Sequence, residues 1–158
     1  MIRLRSDVER KRLFNIAPTE SSQSRKDSGI YTQQATKQTY ERLERLARET
    51  LMAGFPVIVD SAALRRDERE SLHEIAETLG LPGLTVSCEA PETVLRERIR
   101  ERALNRNEVS EATEDVLNHQ LATADPISDS EKPHTVHIRT DHPESLDLLI
   151  QAIEKHSH

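Results

Sequence analysis

Asp7 and Arg10 stand one helical turn apart, where the alternating start Ile2-Arg3-Leu4-Arg5 gives way to a helical pattern. That spacing sets a carboxylate and a guanidinium at the opening of a helix. Such a pair can take a proton and hold an anion; it equally suits the helix dipole and a solvated Arg10-Lys11-Arg12 face. Asp60 ends the β-branched run Val57-Ile58-Val59. A buried strand would hold that charge at the carboxyl edge of a sheet, where it can bind a cation or cap the following turn. Arg98, Arg102 and Arg106 recur every four residues, a spacing that suits either an anion or a solvated helix face laced with pairs such as Glu92 with Arg96. Arg65, Arg66 and Arg69, interleaved with Asp67, Glu68 and Glu70, read as a solvated helix start. The lone Cys88 has no His or basic cluster beside it and is assigned to the core. His134 and His137 straddle a strand start and so face opposite sides, and the seven histidines read as incidental. Neither G-x-S-x-G nor H-E-x-x-H occurs.

The elements that must position these groups follow from periodicity. A short strand over Ile2–Arg5 runs into a helix capped by Ser6 or Asp7 and carrying Val8, Leu13 and Phe14. Residues 17 to 29 are almost free of apolar side chains and are expected to form a mobile, disordered loop. From Thr32, Tyr40, Leu43, Leu46, Ala47 and Leu51 recur at spacings of three and four, with Gly54 as a stop. A strand at Val57–Asp60 follows, then a helix over 65–79 ended by Gly80, and a strand over Leu84–Cys88. Pro91 opens the next helix, Ser110 caps another carrying Val116, Leu117 and Leu121, Thr135–Arg139 is the last strand, and a helix from about Pro143 closes the sequence. Strands separated by helices imply an α/β fold with a parallel sheet and helices on both faces, in one domain over residues 1–158.

Composition narrows the function. Lys and Arg number 22 against 28 Asp and Glu, a net charge of −6, which disfavours a polybasic nucleic-acid binder. Leu, Ile, Val and Phe supply 37 of 158 residues, above the roughly 20% below which chains tend to stay disordered. With no Trp, two Phe and two Tyr, stacking platforms are scarce and the core must be aliphatic. One cysteine, no apolar leader and no long apolar run point to a soluble, cytoplasmic protein without membrane partners.

The run Leu4-Arg5-Ser6-Asp7-Val8-Glu9-Arg10-Lys11-Arg12-Leu13, then Gly29-Ile30-Tyr31, Val57-Ile58-Val59-Asp60 and Leu95-Arg96-Glu97-Arg98-Ile99-Arg100-Glu101-Arg102, resembles a family of P-loop kinase-like domains. These are predicted kinase/AAA ATPases often fused to aminoglycoside-phosphotransferase-like domains and related to polynucleotide kinase, gluconate kinase and zeta toxin. The resemblance implies ATP and Mg²⁺ as cofactors and phosphoryl transfer to a hydroxyl. It also implies roles: Asp7 as the base that accepts the hydroxyl proton, Arg10 as the substrate clamp, Asp60 as the carboxylate that holds the metal, and Arg98 and Arg102 as lid arginines that bind the nucleotide's phosphates. Arg106 joins them by spacing, within a lid-like region over 96–112.

Members of that family begin with a strand, a G-x-x-x-x-G-K-[ST] loop and a helix. Here the four glycines, Gly29, Gly54, Gly80 and Gly83, cannot form that loop and none precedes a lysine. The backbone N–H groups and lysine of such a loop hold the β- and γ-phosphates, so these residues alone are expected not to bind or hydrolyse ATP efficiently. The resembling fold orders its strands 2-3-1-4-5, and the missing strand is the central one. Its neighbours would stand about 10 Å apart, twice the usual spacing. The expected outcomes are closure, with Val57–Val59 pairing with Leu84–Cys88, or coverage of the gap by a second copy or another partner, with exposed apolar surface favouring a homodimer. The alternatives are a non-catalytic interaction module, or part of an intact kinase whose reading frame opens upstream; the acceptor is unspecified.

Overall fold

The alternating start folds as β1 (Ile2–Arg5) and the apolar run as β2 (Val57–Asp60). They pair in parallel, Ile2 opposite Val57 and Arg5 opposite Asp60. Between them lie α1 (Ser6–Leu13), a 3₁₀ turn (Gly29–Tyr31) and α2 (Gln33–Met52). This computed structural model describes residues 1–18, 20, 29–104 and 113–156. Most of the loop expected over 17–29, Ser110, and residues 105–112 of the lid-like region with Arg106 lie outside the described residues.

The helix signals act as their chemistry dictates. Thr32 caps α2 by accepting a hydrogen bond from Ala35 N at 3.1 Å. Gly54 ends it at φ +84, with Phe55 N bonded to Thr50 O and Gly54 N to Leu51 O, a closure whose left-handed residue favours glycine. Gly80 repeats that closure at φ +65 after α3 (Arg66–Thr78). At α1 the expectation differs: the residue before the helix is Arg5, without a side-chain cap, and the Asp7 carboxylate accepts from Val8 N instead.

The apolar stripe of α2 packs with α3 on one face of β1–β2. Leu4, Tyr40, Leu43, Ala47 and Ile75 form the buried cluster, joined by Leu72, Val57 and Val59. The opposite face carries Arg3 and Ile58, with Ile58 46% exposed. Among the described residues, helices therefore cover only one face of this strand pair.

A second parallel pair follows, β3 (Thr85–Glu89) with β4 (Thr135–Arg139), Thr85 opposite Thr135 and Cys88 opposite Ile138. Between them run α4 (Glu92–Ala103), α5 (Glu114–Thr123) and a 3₁₀ turn (Lys132–His134). The last helix, α6 (Ser145–His156), packs along β4. Parallel pairing and the βαβ order agree with the expected α/β class, but the sheet is two sheets of two strands. β2 and β3 do not pair, so the expected pairing of Val57–Val59 with Leu84–Cys88 does not occur among the described residues. Cys88, expected in the core, is exposed on β3. No helix among the described residues is long and apolar enough to cross a membrane.

The two halves are joined instead through the start of α3 and the segment before β4. Asp125 N bonds to Leu64 O at 2.8 Å, and Arg66 N donates to the Asp125 carboxylate at 3.0 Å. Arg69 completes the junction.

Candidate functional site

Parallel register places the carboxyl ends of β1 and β2 side by side, so Asp60 and, two residues past the end of β1's partner Arg5, Asp7 share one sheet edge. Arg5 grips Asp7 with both arms of its fork, Nε to Oδ1 at 3.1 Å and Nη2 to Oδ2 at 2.6 Å. Oδ1 accepts a further bond from Val8 N at 2.8 Å. Among the described residues Oδ2 accepts only the one from Arg5. A carboxylate offers about four lone-pair positions, so Oδ2 keeps one for an incoming O–H.

Asp60 is paired with Arg3, whose Nε donates to Oδ2 at 3.0 Å and whose Nη2 reaches the same oxygen. The loop that follows is held from beneath. Tyr40 Oη accepts from Ala63 N at 3.0 Å, stabilising Ala63 at φ +41, a conformation uncommon outside glycine. Burial, and then the nearby Glu68 carboxylate, push the Tyr40 hydroxyl up to about 12, so it stays protonated. Burial likewise pushes Glu68 up.

A resident divalent cation does not fit this edge as it stands. Its two carboxylates are each paired with an arginine, Asp60 with Arg3 and Asp7 with Arg5, and no group of three or more His, Cys, Asp or Glu among the described residues could hold a metal. One carboxylate supports Mg²⁺ only when phosphates and water complete its shell.

Arg10 leaves the helix surface for the interior. Its Nη1 donates to Ile30 O at 3.0 Å and Thr36 Oγ1 at 3.1 Å, and the guanidinium lies 5.5 Å from the Tyr31 ring centroid. Burial pulls its pKa down from the ordinary arginine value. The residue thus pins the Gly29–Tyr31 turn to α1 and α2. Its neighbour Lys11 is 2% exposed and donates to Pro18 O, and Glu9 is equally buried, accepting from Arg42 Nε at 2.7 Å and from Arg12. The solvated Arg-Lys-Arg face is therefore not what forms.

Arg98 and Arg102 belong to the other half. Arg98 donates from Nη1 to Thr140 Oγ1 at 2.8 Å and from Nη2 to Thr140 O at 2.9 Å, which ties α4 to the turn after β4. Arg102 Nε donates to Arg98 O at 3.2 Å. Arg96 pairs with Glu92 and Glu114, as a charged helix surface would have it. The two edges sense each other: partial burial pushes the Cys88 thiol up, and the Asp60 carboxylate adds to that shift across the space between β2 and β3. The fold thus brings Asp7 and Asp60 to one edge, with Arg10 one turn along α1 but turned inward, and sets Arg98 and Arg102 on the neighbouring sheet.

Sequence reasoning missed Arg69. Read as part of a solvated helix start, it is 8% exposed. It meets Glu131 with Nε to Oε1 at 2.6 Å and Nη2 to Oε2 at 3.2 Å, and also donates to the carbonyls of Ala63, Leu64 and Pro126. All five N–H groups find acceptors. The Arg69 guanidinium first, helped by bonds from Ser128, holds the Glu131 carboxyl down at about 2. No local spacing signals this pair, whose members lie in different halves.

The sequence model of a family described as AAA domain matches residues 1–127. No curated protein matches the chain.

Proposed function

The chain belongs to the AAA domain family, a group of P-loop NTPase-like kinases that typically use ATP and Mg²⁺, and from that premise we propose that it descends from an enzyme transferring phosphoryl groups to a hydroxyl. The observation that carries this reading is the pair of carboxylates, Asp7 and Asp60, at the same edge of two parallel strands. A carboxylate beside an attacking hydroxyl takes its proton as the phosphoryl group arrives. The open lone pair of Asp7 Oδ2 suits that task, and the Arg5 fork keeps the carboxylate aimed. Arg10 would order the acceptor side through the Gly29–Tyr31 turn, and Arg98 and Arg102 would meet phosphate after release from Thr140 and the helix backbone.

These 158 residues contain no G-x-x-x-x-G-K-[ST] run, so we propose that they do not by themselves hold ATP tightly. Isothermal titration with ATP and Mg²⁺ tests this: no micromolar binding is expected. Micromolar binding abolished by Asp60→Ala would overturn it.

A second reading is favoured by one observation, that β2 and β3 each pair on one side only while Ile58 and Val86 are exposed. Unpaired strand edges beside apolar surface recruit other chains. In that reading the domain is a homodimerising or partner-binding module. Light scattering tests it, since a stable monomer without exposed apolar surface would leave little for a partner to hold.

A further inference from the structure

His73 of α3 and His134 of the turn before β4 stack face to face, ring centroids 3.8 Å apart and planes 11° from parallel. They border a cavity of about 350 Å³ between the two halves. Room for the stack is made by Gly83, where a Cβ would come within 3.0 Å of His73 Nδ1 and 3.2 Å of Ala76 Cβ. The contact sits beside the buried Arg69–Glu131 bridge, on the same two segments. Because β2 and β3 do not pair, this junction is what couples the second sheet to the first.

We propose that the His73–His134 stack is a pH-sensitive latch, closed while His73 is neutral and released as His73 takes up a proton, with the Arg69–Glu131 bridge beside it staying intact. The charged and titratable groups around His73 are Arg69, Glu70, Glu74 and Glu77 on its own helix and Glu131 and His134 on the facing segment. β3 contributes only Thr85 there, without charge. Glu77 Oε1 lies 3.5 Å from His73 Nε2, so one proton on the stack has a partner. A proton on His73 arrives at a half-buried position beside a second imidazole, where Glu70 and Glu131 are already engaged by Arg66 and Arg69. Burial first, and His134 second, lower the His73 pKa, and the carboxylate of Glu77 only partly opposes them.

The sign follows from linkage. With its folded value below the ordinary histidine value of about 6.5, the stack contributes its full stability above that pH and loses it as pH falls toward the folded value. The bridge does not follow, because Glu131 stays ionised down to about 2.

The test is amide exchange on the full chain at pH 7.5 and 5.5, corrected for intrinsic rates, together with a proton NMR titration of the histidines. Opening of Thr135–Arg139 is expected to rise up to about tenfold per pH unit below 6.5, with Val57–Asp60 much less affected. His73→Phe keeps a stacking ring that cannot titrate and is expected to remove most of the pH dependence; His73→Gln serves the same end if that variant does not fold. Titration of His73 at or above the ordinary value, or unchanged pH-dependent opening in either variant, would overturn the latch.

Discussion

The two halves have the same plan, a parallel strand pair with intervening helices, and different interiors. In the first, Leu43 and Thr39 are fully enclosed, and Leu4, Ala47 and Ile75 pack around them. Among the described residues of the second, burial is confined to single side chains such as Ile99, Leu117 and Ile138, and α6 buries none of its residues, leaving Leu146 and Leu148 64% and 52% exposed. Apolar area removed from water is the main favourable contribution to folding, at roughly 25 cal/mol per Å². The first half therefore carries the stability and the second is held to it by a polar junction. A fold can repeat an architecture without repeating the forces that maintain it.

Breaking the junction should have the largest effect. Arg69→Ala leaves Glu131 buried without its partner and strips donors from three carbonyls, so urea unfolding should show a loss of about 3–5 kcal/mol. Leu43→Ala, at the centre of the enclosed core, should cost about 2–5 kcal/mol, whereas Leu148→Ala on exposed α6 should stay within about 0.5 kcal/mol. Equal losses at the two leucines would erase the contrast between the halves.

Acid sharpens the same comparison. Glu131, lowered to about 2 from an ordinary value near 4.5, contributes stability that is fully present above the ordinary value and lost as pH falls through the folded one, on the order of 3 kcal/mol. Denaturation followed from pH 5 to 2 should be steep in the wild type and flatter in Glu131→Gln. Smallest of all, Arg3→Ala removes an ion pair whose side chains are 60% and 43% exposed, so its stability cost should be below about 1 kcal/mol.

Much of the fold was legible in local pattern. The threefold and fourfold spacing from Tyr40 to Leu51, and glycine stops at Gly54 and Gly80, define α2 and α3 because helix periodicity and left-handed closure are decided within a few residues. The carboxylates at the ends of their strand and turn were legible for the same reason. What lay beyond reach depends on partners distant in sequence. Nothing near Arg69 announces Glu131, and nothing near His73 announces His134. Lys11 and Arg10 looked like surface cations because their neighbours are charged, yet their acceptors, Pro18, Ile30 and Thr36, come from other segments. Pairing between β2 and β3 was expected from bare edges alone, but hydrogen-bonding need does not say how far the flanking helices hold two strands apart.

The strand registers also make the two closures independent of each other. β1 meets β2 by closing the loop from Ile2 to Val57, and β3 meets β4 by closing the loop from Thr85 to Thr135. The two loops are consecutive and do not overlap, so neither closure must await the other. Each carries the slow kinetics of a long-range parallel contact, since loop entropy must be met before the pairing forms. The core over the first strand pair also takes Leu72 and Ile75 of α3, which lie beyond that loop. Asp125 and Glu131 bond to α3, which lies outside both loops, so these contacts join the two strand pairs without being part of either closure.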